Sequence, residues 1–271
     1  MPPPRRSIRR DDVRLGRSAK AAVLTLDSPR NLNAIDAAMI RELDGELDAV
    51  APDRHVRAVL VTGEGRAFSA GGDLKAYRTL QRDPVAFPRF VGELHRVFGR
   101  LRQLDVPVIA LVNGVTAAGG LELMLSCDVS IAARSASVMD GHLNFGQMGG
   151  GGVLTLLPRV IGIQRAAELV LSGRSLSGDE LVEWGLVSRV VPDEELLAAG
   201  TSLAGEIAAK SPLAVANAKR VMNAIWADAG PLEAGLRFER ERNAFYCLTS
   251  HDAQEGLAAF AERRRPRFTG K

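Results

Sequence analysis

The chain is poor in the residues that would place it in several broad classes. Its 271 residues include two cysteines, Cys127 and Cys247, too few and too far apart for a disulfide framework or a paired zinc-ligand spacing, so both are expected to be reduced thiols in a cytoplasmic protein. Four histidines (His55, His95, His142, His251) show no metal-ligand spacing, so no metal site is expected, and His55 and His95 read as solvent-facing positions on helix flanks. No apolar run reaches the ~18 residues that would span a bilayer. Even 106–125 is interrupted by Asn113, Glu122 and several glycine and threonine positions. The start, Met-Pro-Pro-Pro-Arg-Arg-Ser-Ile-Arg-Arg, lacks the apolar stretch of a secretory signal, and its prolines spoil an amphipathic targeting helix, so residues 1–12 are expected to be a disordered basic tail.

A basic face is also missing. The net charge of +3 comes from the ends: residues 1–20 hold seven Lys/Arg against two Asp, and residues 263–271 hold five and no acid. The rest carries 23 basic and 30 acidic residues, a net acidic body that argues against nucleic acid as a partner. The basic ends suit small anions.

What is present is an alternation of short β-rich runs with longer helical patterns. Residues 22–26, 58–62, 106–112, 129–132 and 187–191 read as buried strands. Between them, Ile35, Met39, Leu43, Leu47 and Val50 fall at helical spacing, as do Phe87, Val91, Leu94, Phe98 and Leu101. The expected class is α/β. Ser177-Gly-Asp-Glu180 has the form of a capping box, predicting a helix that ends near Gly185. After Pro192 the strand signals stop, and the chain reads as successive helices broken at Ser211-Pro212, Gly230-Pro231 and Ser250-His251-Asp252. A boundary is therefore placed near residue 200. The helical remainder, too short to stand alone, should pack on the α/β domain or on another subunit.

Three stretches carry candidate chemistry. Arg66-Ala-Phe-Ser-Ala-Gly-Gly-Asp-Leu-Lys75 follows a strand and lets backbone approach a ligand closely. Pro107-Val-Ile-Ala-Leu-Val-Asn-Gly114 leads through a turn to a helix opening near Gly119, where free amides attract negative charge. If the amides of Gly72 and Gly119 converge they form an oxyanion hole, with Glu122 beside it as either a helix-dipole carboxylate or a general base. The third stretch, Met139-Asp-Gly-His142 into Gly149-Gly-Gly-Gly152, lacks the Lys-Ser/Thr of a phosphate loop and the context of a dinucleotide fingerprint, and is read as a loop against which something packs closely.

Taken in order and spacing, these residues resemble the crotonase (enoyl-CoA hydratase/isomerase) superfamily. The resemblance rests on Pro29-Arg-Asn-Leu-Asn-Ala34, Ala67-Phe-Ser-Ala-Gly-Gly-Asp-Leu74, Pro107–Gly114 running into Gly119-Gly-Leu-Glu122, Leu171-Ser-Gly-Arg-Ser-Leu176, Gly185-Leu-Val187 and Phe260-Ala-Glu-Arg-Arg264. It covers nearly the whole chain. It implies an α/β crotonase-like ββα superhelix over residues 13–200 and a helical trimerisation region over 201–271, assembled as a trimer or a dimer of trimers. It implies an acyl-CoA substrate and no cofactor beyond the coenzyme A of that substrate; charge and apolar run length, as above, add no nucleic-acid and no membrane partner. Carried over by position, the oxyanion-hole amides fall on Gly72 and Gly119. Arg30, Ser69, Ala70, Asp73, Leu74 and Lys75 match positions that line the coenzyme, while Phe260 and Arg263 match positions that reach the coenzyme of a neighbouring subunit.

In hydratases of this family two glutamates flank the alkene. The first corresponds to Glu122, but the second position holds His142. Imidazole is a competent acid or base near neutrality, so the leading expectation is hydration of a 2-enoyl-CoA with Glu122 directing water and His142 serving the α-carbon. Double-bond isomerisation, hydrolysis of a thioester or carbon–carbon bond, and acyl-CoA binding without chemistry stay open as alternatives. The acyl chain is not legible from the sequence.

Overall fold

A computed structural model of the chain describes residues 7–210, 212–228 and 232–264. Two sheets lie at its centre. The larger runs in the order β1 (Ile8–Arg14), β2 (Lys20–Leu26), β3 (Val56–Gly63), β5 (Val108–Val112), β7 (Val129–Ala133) and β10 (Arg189–Val191). All its pairings are parallel except the β1–β2 hairpin. The smaller has the order β4 (Ala67–Ser69), β6 (Val115–Ala117), β8 (Ser137–Met139) and β9 (Ser175–Ser177), with only β9 antiparallel. The pairs β3/β4, β5/β6 and β7/β8 each give one strand to each sheet before the chain returns through helix. That repeat is the ββα superhelix. Its parallel strands are covered on both faces, so they read as unbroken apolar runs: every residue of β5 is at most 1% exposed.

Helix α1 (Ala37–Val50) opens on Asp36, whose side chain accepts from the amides of Ala38 and Met39 at 2.9 and 2.8 Å. It buries Met39, Leu43, Leu47 and Val50 at the expected spacing. Helix α2 (Leu74–Leu80) is capped in the same way by Asp73, and α3 (Ala86–Gln103) buries Phe87, Phe90, Val91, Leu94 and Leu101 among others. The remaining helices are α4 (Gly119–Leu125), α5 (Val153–Ile161), α6 (Ile163–Ser172), α7 (Glu180–Glu183), α8 (Leu196–Ala208), α9 (Pro212–Asp228), α10 (Leu232–Thr249) and α11 (His251–Ala261).

Several expectations need correction. Residues 8–12, expected in a disordered tail, lie in β1, where Ile8 is buried and the backbone pairs with β2; residues 1–6 lie outside the described residues. The helix predicted from a capping box has no such cap: Ser177 ends β9, and α7 begins at Glu180 without a side-chain cap from Asp179. The boundary near residue 200 cuts through α8, which packs on β3, β5 and β7 with Gly200 against Leu111, so residues 201–208 belong to the core. The helices that turn back are α9 to α11. Lys219 anchors α9: its Nζ donates to the carbonyls of Leu101 and Val106 and pairs with Asp128 at 2.6 Å. Helix α10 packs on α3 and α5, and α11 packs on α2. Helices α10 and α11 cover one side of a cleft at the ends of the small sheet.

Candidate active site

Because β4, β6 and β8 are parallel neighbours, the residues that follow their C-terminal ends are brought together. β4 is followed by Ala70-Gly71-Gly72, β6 by Ala118-Gly119, and β8 by Asp140-Gly141-His142. All three segments contribute to a cleft of about 550 Å³ that is also lined by α2, α3, α10 and Phe260.

The first two segments present amides. Gly71 takes φ +90°, its carbonyl accepts from Ile35 N at 2.7 Å, and Asp73 N returns to the Ile35 carbonyl at 3.1 Å. This leaves the Gly72 amide between those two bonds with no acceptor among the described residues. At the second segment Ala118 is held at φ +49°, a conformation unfavourable for alanine, by donating its N–H to the carbonyls of Met139 and Asp140. The strained residue aims the Gly119 amide, which has no acceptor among the described residues either. Gly119 and Gly72 are packed together: a Cβ on Gly119 would lie 3.6 Å from the Gly72 nitrogen. Two unfilled donors on one side of a cleft are what a developing oxyanion requires.

Glu122 sits in the first turn of α4, 3% exposed and facing the same cleft. Its Oε1 accepts from the amides of Gly151 at 2.7 Å and Val153 at 3.3 Å, where the glycine run opens α5. The close-packed partner predicted for that run is therefore this carboxylate. The remaining oxygen, Oε2, accepts from no described residue. His95, expected to face solvent, is turned inward instead: its Nε2 bonds the carbonyl of Gly150, the same peptide whose N–H, on Gly151, holds Glu122. Burial holds the His95 imidazole below its ordinary pKa, against the opposing pull of Glu122 and of the Gly150 carbonyl.

His142 faces the cleft with Nδ1 2.8 Å from Oδ1 of Asp140, which is 1% exposed. A carboxylate accepts, so the neutral ring carries its proton on Nδ1, and the partner fixes both ring orientation and tautomer. Reading the sequence missed Asp140. The Asp-x-His spacing was its one signal, carrying weight only once the turn after β8 folds both side chains together.

The coenzyme-side residues divide. Arg30, Ala70, Asp73, Leu74 and Lys75 line the cleft, and Arg66, which sequence reading left without a role, joins Arg30 and Lys75 as a third cation. Arg30 is carried there by a loop that Asn33 ties to β4, its Nδ2 donating to Ala67 O at 2.8 Å. Ser69 does not line the cleft: fully buried, it donates to Asn33 O at 2.8 Å and accepts from Gly71 N at 3.2 Å, supporting the turn from beneath. Asp73 spends its carboxylate on capping α2. Phe260 borders this chain's own cleft and meets Phe145 edge-on at 5.6 Å. Arg263 borders an adjoining hollow. Another side of the cleft is walled by Phe90, Val91, Leu94 and Tyr77, and burial with the nearby charge of Glu122 pushes the Tyr77 hydroxyl well above its usual pKa. Tyr77 and Asn243 are further cleft residues that sequence reading did not single out.

Comparison with known proteins gives the family of the chain. The family described as enoyl-CoA hydratase/isomerase matches residues 16–271. A probable mitochondrial enoyl-CoA hydratase of Dictyostelium discoideum is 36% identical over 256 residues, covering 94% of this chain and 90% of that one. A probable enoyl-CoA hydratase of Bacillus subtilis is 35% identical over 253 residues, covering 92% and 95%. Among solved structures, an enoyl-CoA hydratase/isomerase from Xanthobacter autotrophicus superimposes with a TM-score of 0.86 at 30% identity, covering 97% and 99%. A monofunctional enoyl-CoA isomerase from M. smegmatis gives 0.69 at 32% identity, covering 84% and 97%.

Proposed function

The chain belongs to the enoyl-CoA hydratase/isomerase family and is an acyl-CoA-processing enzyme, and from that premise we propose that it hydrates a 2-enoyl-CoA using Glu122 and His142. The observation that carries the proposal is the placement of a buried, amide-held Glu122 carboxylate beside the two unfilled amides of Gly72 and Gly119. The thioester oxygen is received by those amides, while Arg30, Arg66 and Lys75 meet the coenzyme phosphates. Glu122 Oε2 takes a proton from water as the water oxygen bonds the β-carbon. The π electrons move through the α-carbon onto the thioester oxygen, giving an enolate that the two amides stabilise. A proton from the protonated His142 ring then forms the α C–H bond and collapses the enolate to a 3-hydroxyacyl-CoA. Glu122 returns its proton to solvent, and His142 is reprotonated from it. No group of three or more His, Cys, Asp or Glu is gathered among the described residues in a way that could hold a metal ion.

A second reading, double-bond isomerisation, is favoured by the Asp140–His142 pair, since one oriented base can move a proton between α- and γ-carbons. Glu122→Gln separates the two. For hydration, turnover of crotonyl-CoA should fall by about 10²–10⁴ with coenzyme affinity retained. An enzyme that moves a 3-enoyl double bond at full rate in the Glu122→Gln protein, and never hydrates crotonyl-CoA, is an isomerase.

Assembly as a trimer or dimer of trimers belongs to the same proposal. It is supported by Val221, Met222 and Phe245 of α9 and α10, which are 57%, 64% and 64% exposed. In that assembly Arg263 reaches the coenzyme of a neighbouring subunit, while Phe260, expected to do the same, stays with the cleft of its own chain. A cytoplasmic location is supported by two free, buried cysteines; no described helix is long and apolar enough to cross a membrane.

A further inference from the structure

The acyl side of the cleft is not uniformly apolar. Opposite Phe90, Val91 and Leu94 of α3, helix α10 contributes Asn243, which is 5% exposed. Its Nδ2 donates to the Met148 carbonyl at 2.6 Å, which settles the orientation of the amide and leaves Oδ1 as the other end. That oxygen has no hydrogen-bond partner among the described residues. Two other buried side-chain atoms share this state among the described residues, Gln81 Oε1 and Asp140 Oδ2, but neither residue lines the cleft. The neighbouring polar groups on this wall are already used. Gln147 accepts from Gln81 and donates to the Ala253 carbonyl, and the Cys247 thiol, kept protonated by a pKa pushed up to about 12, donates to Gln147.

Asn243 is also close to the chemistry. It packs directly on Gly150, where an added Cβ would come within 2.4 Å of its Cγ. The next residue, Gly151, holds Glu122. An acyl chain whose reacting carbons lie at Glu122 and which continues between α3 and α10 therefore passes Asn243 shortly after its β-carbon. The Tyr77 hydroxyl, also in the cleft, sits beside Gly72, where an added Cβ would lie 3.0 Å from it, and makes no hydrogen bond among the described residues. An unpaired acceptor buried in the wall of a channel discriminates, because a chain without a donor leaves it unpaired, whereas a chain with a donor in register fills it.

We propose that Asn243 is a specificity-determining residue, and that the preferred substrate is a 2-enoyl-CoA whose acyl chain carries a hydroxyl beyond the β-carbon, donating to Asn243 Oδ1. The proposal rests on the acyl-CoA reading above and deepens it.

The test is a matched series: unsubstituted 2-enoyl-CoAs against their 4-, 5- and 6-hydroxy counterparts, measured as kcat/KM for hydration and, separately, as Kd by calorimetry. At least one hydroxylated member should be preferred about tenfold or more over its unsubstituted partner by the wild-type enzyme. In Asn243→Leu the ratio should collapse toward one. Turnover of both series with no preference anywhere overturns the role of Asn243 and leaves hydration standing. A binding preference without turnover keeps Asn243 and sinks hydration, and neither preference nor turnover sinks both. A preference that survives in Asn243→Leu also overturns it. Should that variant not fold, the wild-type series alone decides.

Discussion

Gly151→Ala tests whether Glu122 works only when its carboxylate is held by the α5 amides. Gly151 does not need positive φ, so alanine is acceptable to the backbone and the effect is steric. An added Cβ would lie 2.3 Å from Glu122 Oε2, 2.7 Å from its carboxyl carbon and 2.5 Å from Leu94 Cδ2. The Leu94 methyl is the end of a flexible side chain and can yield. The carboxylate cannot stay: ordinary contact begins at 3.4 Å, so it must retreat by about 1 Å and give up its 2.7 Å bond from the Gly151 amide. A misplacement of that size costs on the order of 10² in rate. Overpacking on this scale costs about 1–3 kcal/mol of stability, which a domain of this size survives. Arg30, Lys75 and the two glycine amides are untouched, so coenzyme binding should hold within about twofold while kcat falls. Steady-state hydration of crotonyl-CoA, titration with coenzyme A and a thermal melt measure the three quantities. A folded Gly151→Ala protein with kcat within about threefold of wild type would falsify the assignment of Glu122 as the water-activating group.

Two further predictions concern stability. His95 is held neutral by burial, with Glu122, the Gly150 carbonyl, Glu233 and Arg240 around it. Its folded pKa lies below its unfolded value of about 6.5, so its contribution is fully present above that pH and is lost as pH falls toward the folded value, with a slope of at most one proton. His95→Gln keeps a donor for Gly150 and removes the titration, so urea melts from pH 7.5 to 5 should show a flatter acid limb; an unchanged limb refutes the placement. Lys219→Met strips α9 of its ties to Leu101, Val106 and Asp128, and should cost about 2–3 kcal/mol in denaturant unfolding without changing the KM of the enzyme. A loss below about 0.5 kcal/mol would show that the packing of α9, not this cation, fixes it.

The legible parts of this molecule are those whose signal is local. Buried parallel strands announce themselves as apolar runs, and the helical periodicities of α1 and α3 pick out the residues the core takes. β1 escaped because it is an edge strand, mostly exposed, and its alternation is drowned by arginine and aspartate. His95 escaped for a different reason. Its helical position borders the buried stripe, and what draws it inward is a carbonyl 55 residues away, which no local pattern encodes. Ser69 was misread because its motif position says only that it lies at the site, not that it faces it.

The proposed catalytic constellation shows the same division more sharply. Gly72, Gly119 and His142 follow three strands that are distant in sequence, and their convergence is a property of the sheet, not of any segment. What the sequence shows at each is a turn that tolerates close backbone approach. The sheet turns three such turns into one site, by setting β4, β6 and β8 side by side in parallel so that every C-terminal end faces the same cleft. This also explains how a histidine can stand where a second glutamate is expected without disturbing the rest. The amide pair depends on Gly71, Ala118 and their backbone partners, and Glu122 depends on Gly151 and Val153. None of these bonds involves the His142 side chain, which answers instead to Asp140. On the proposed roles, the acid–base partner can therefore vary while the oxyanion site stays fixed, and the buried Asp140 carboxylate makes the imidazole there oriented rather than merely present.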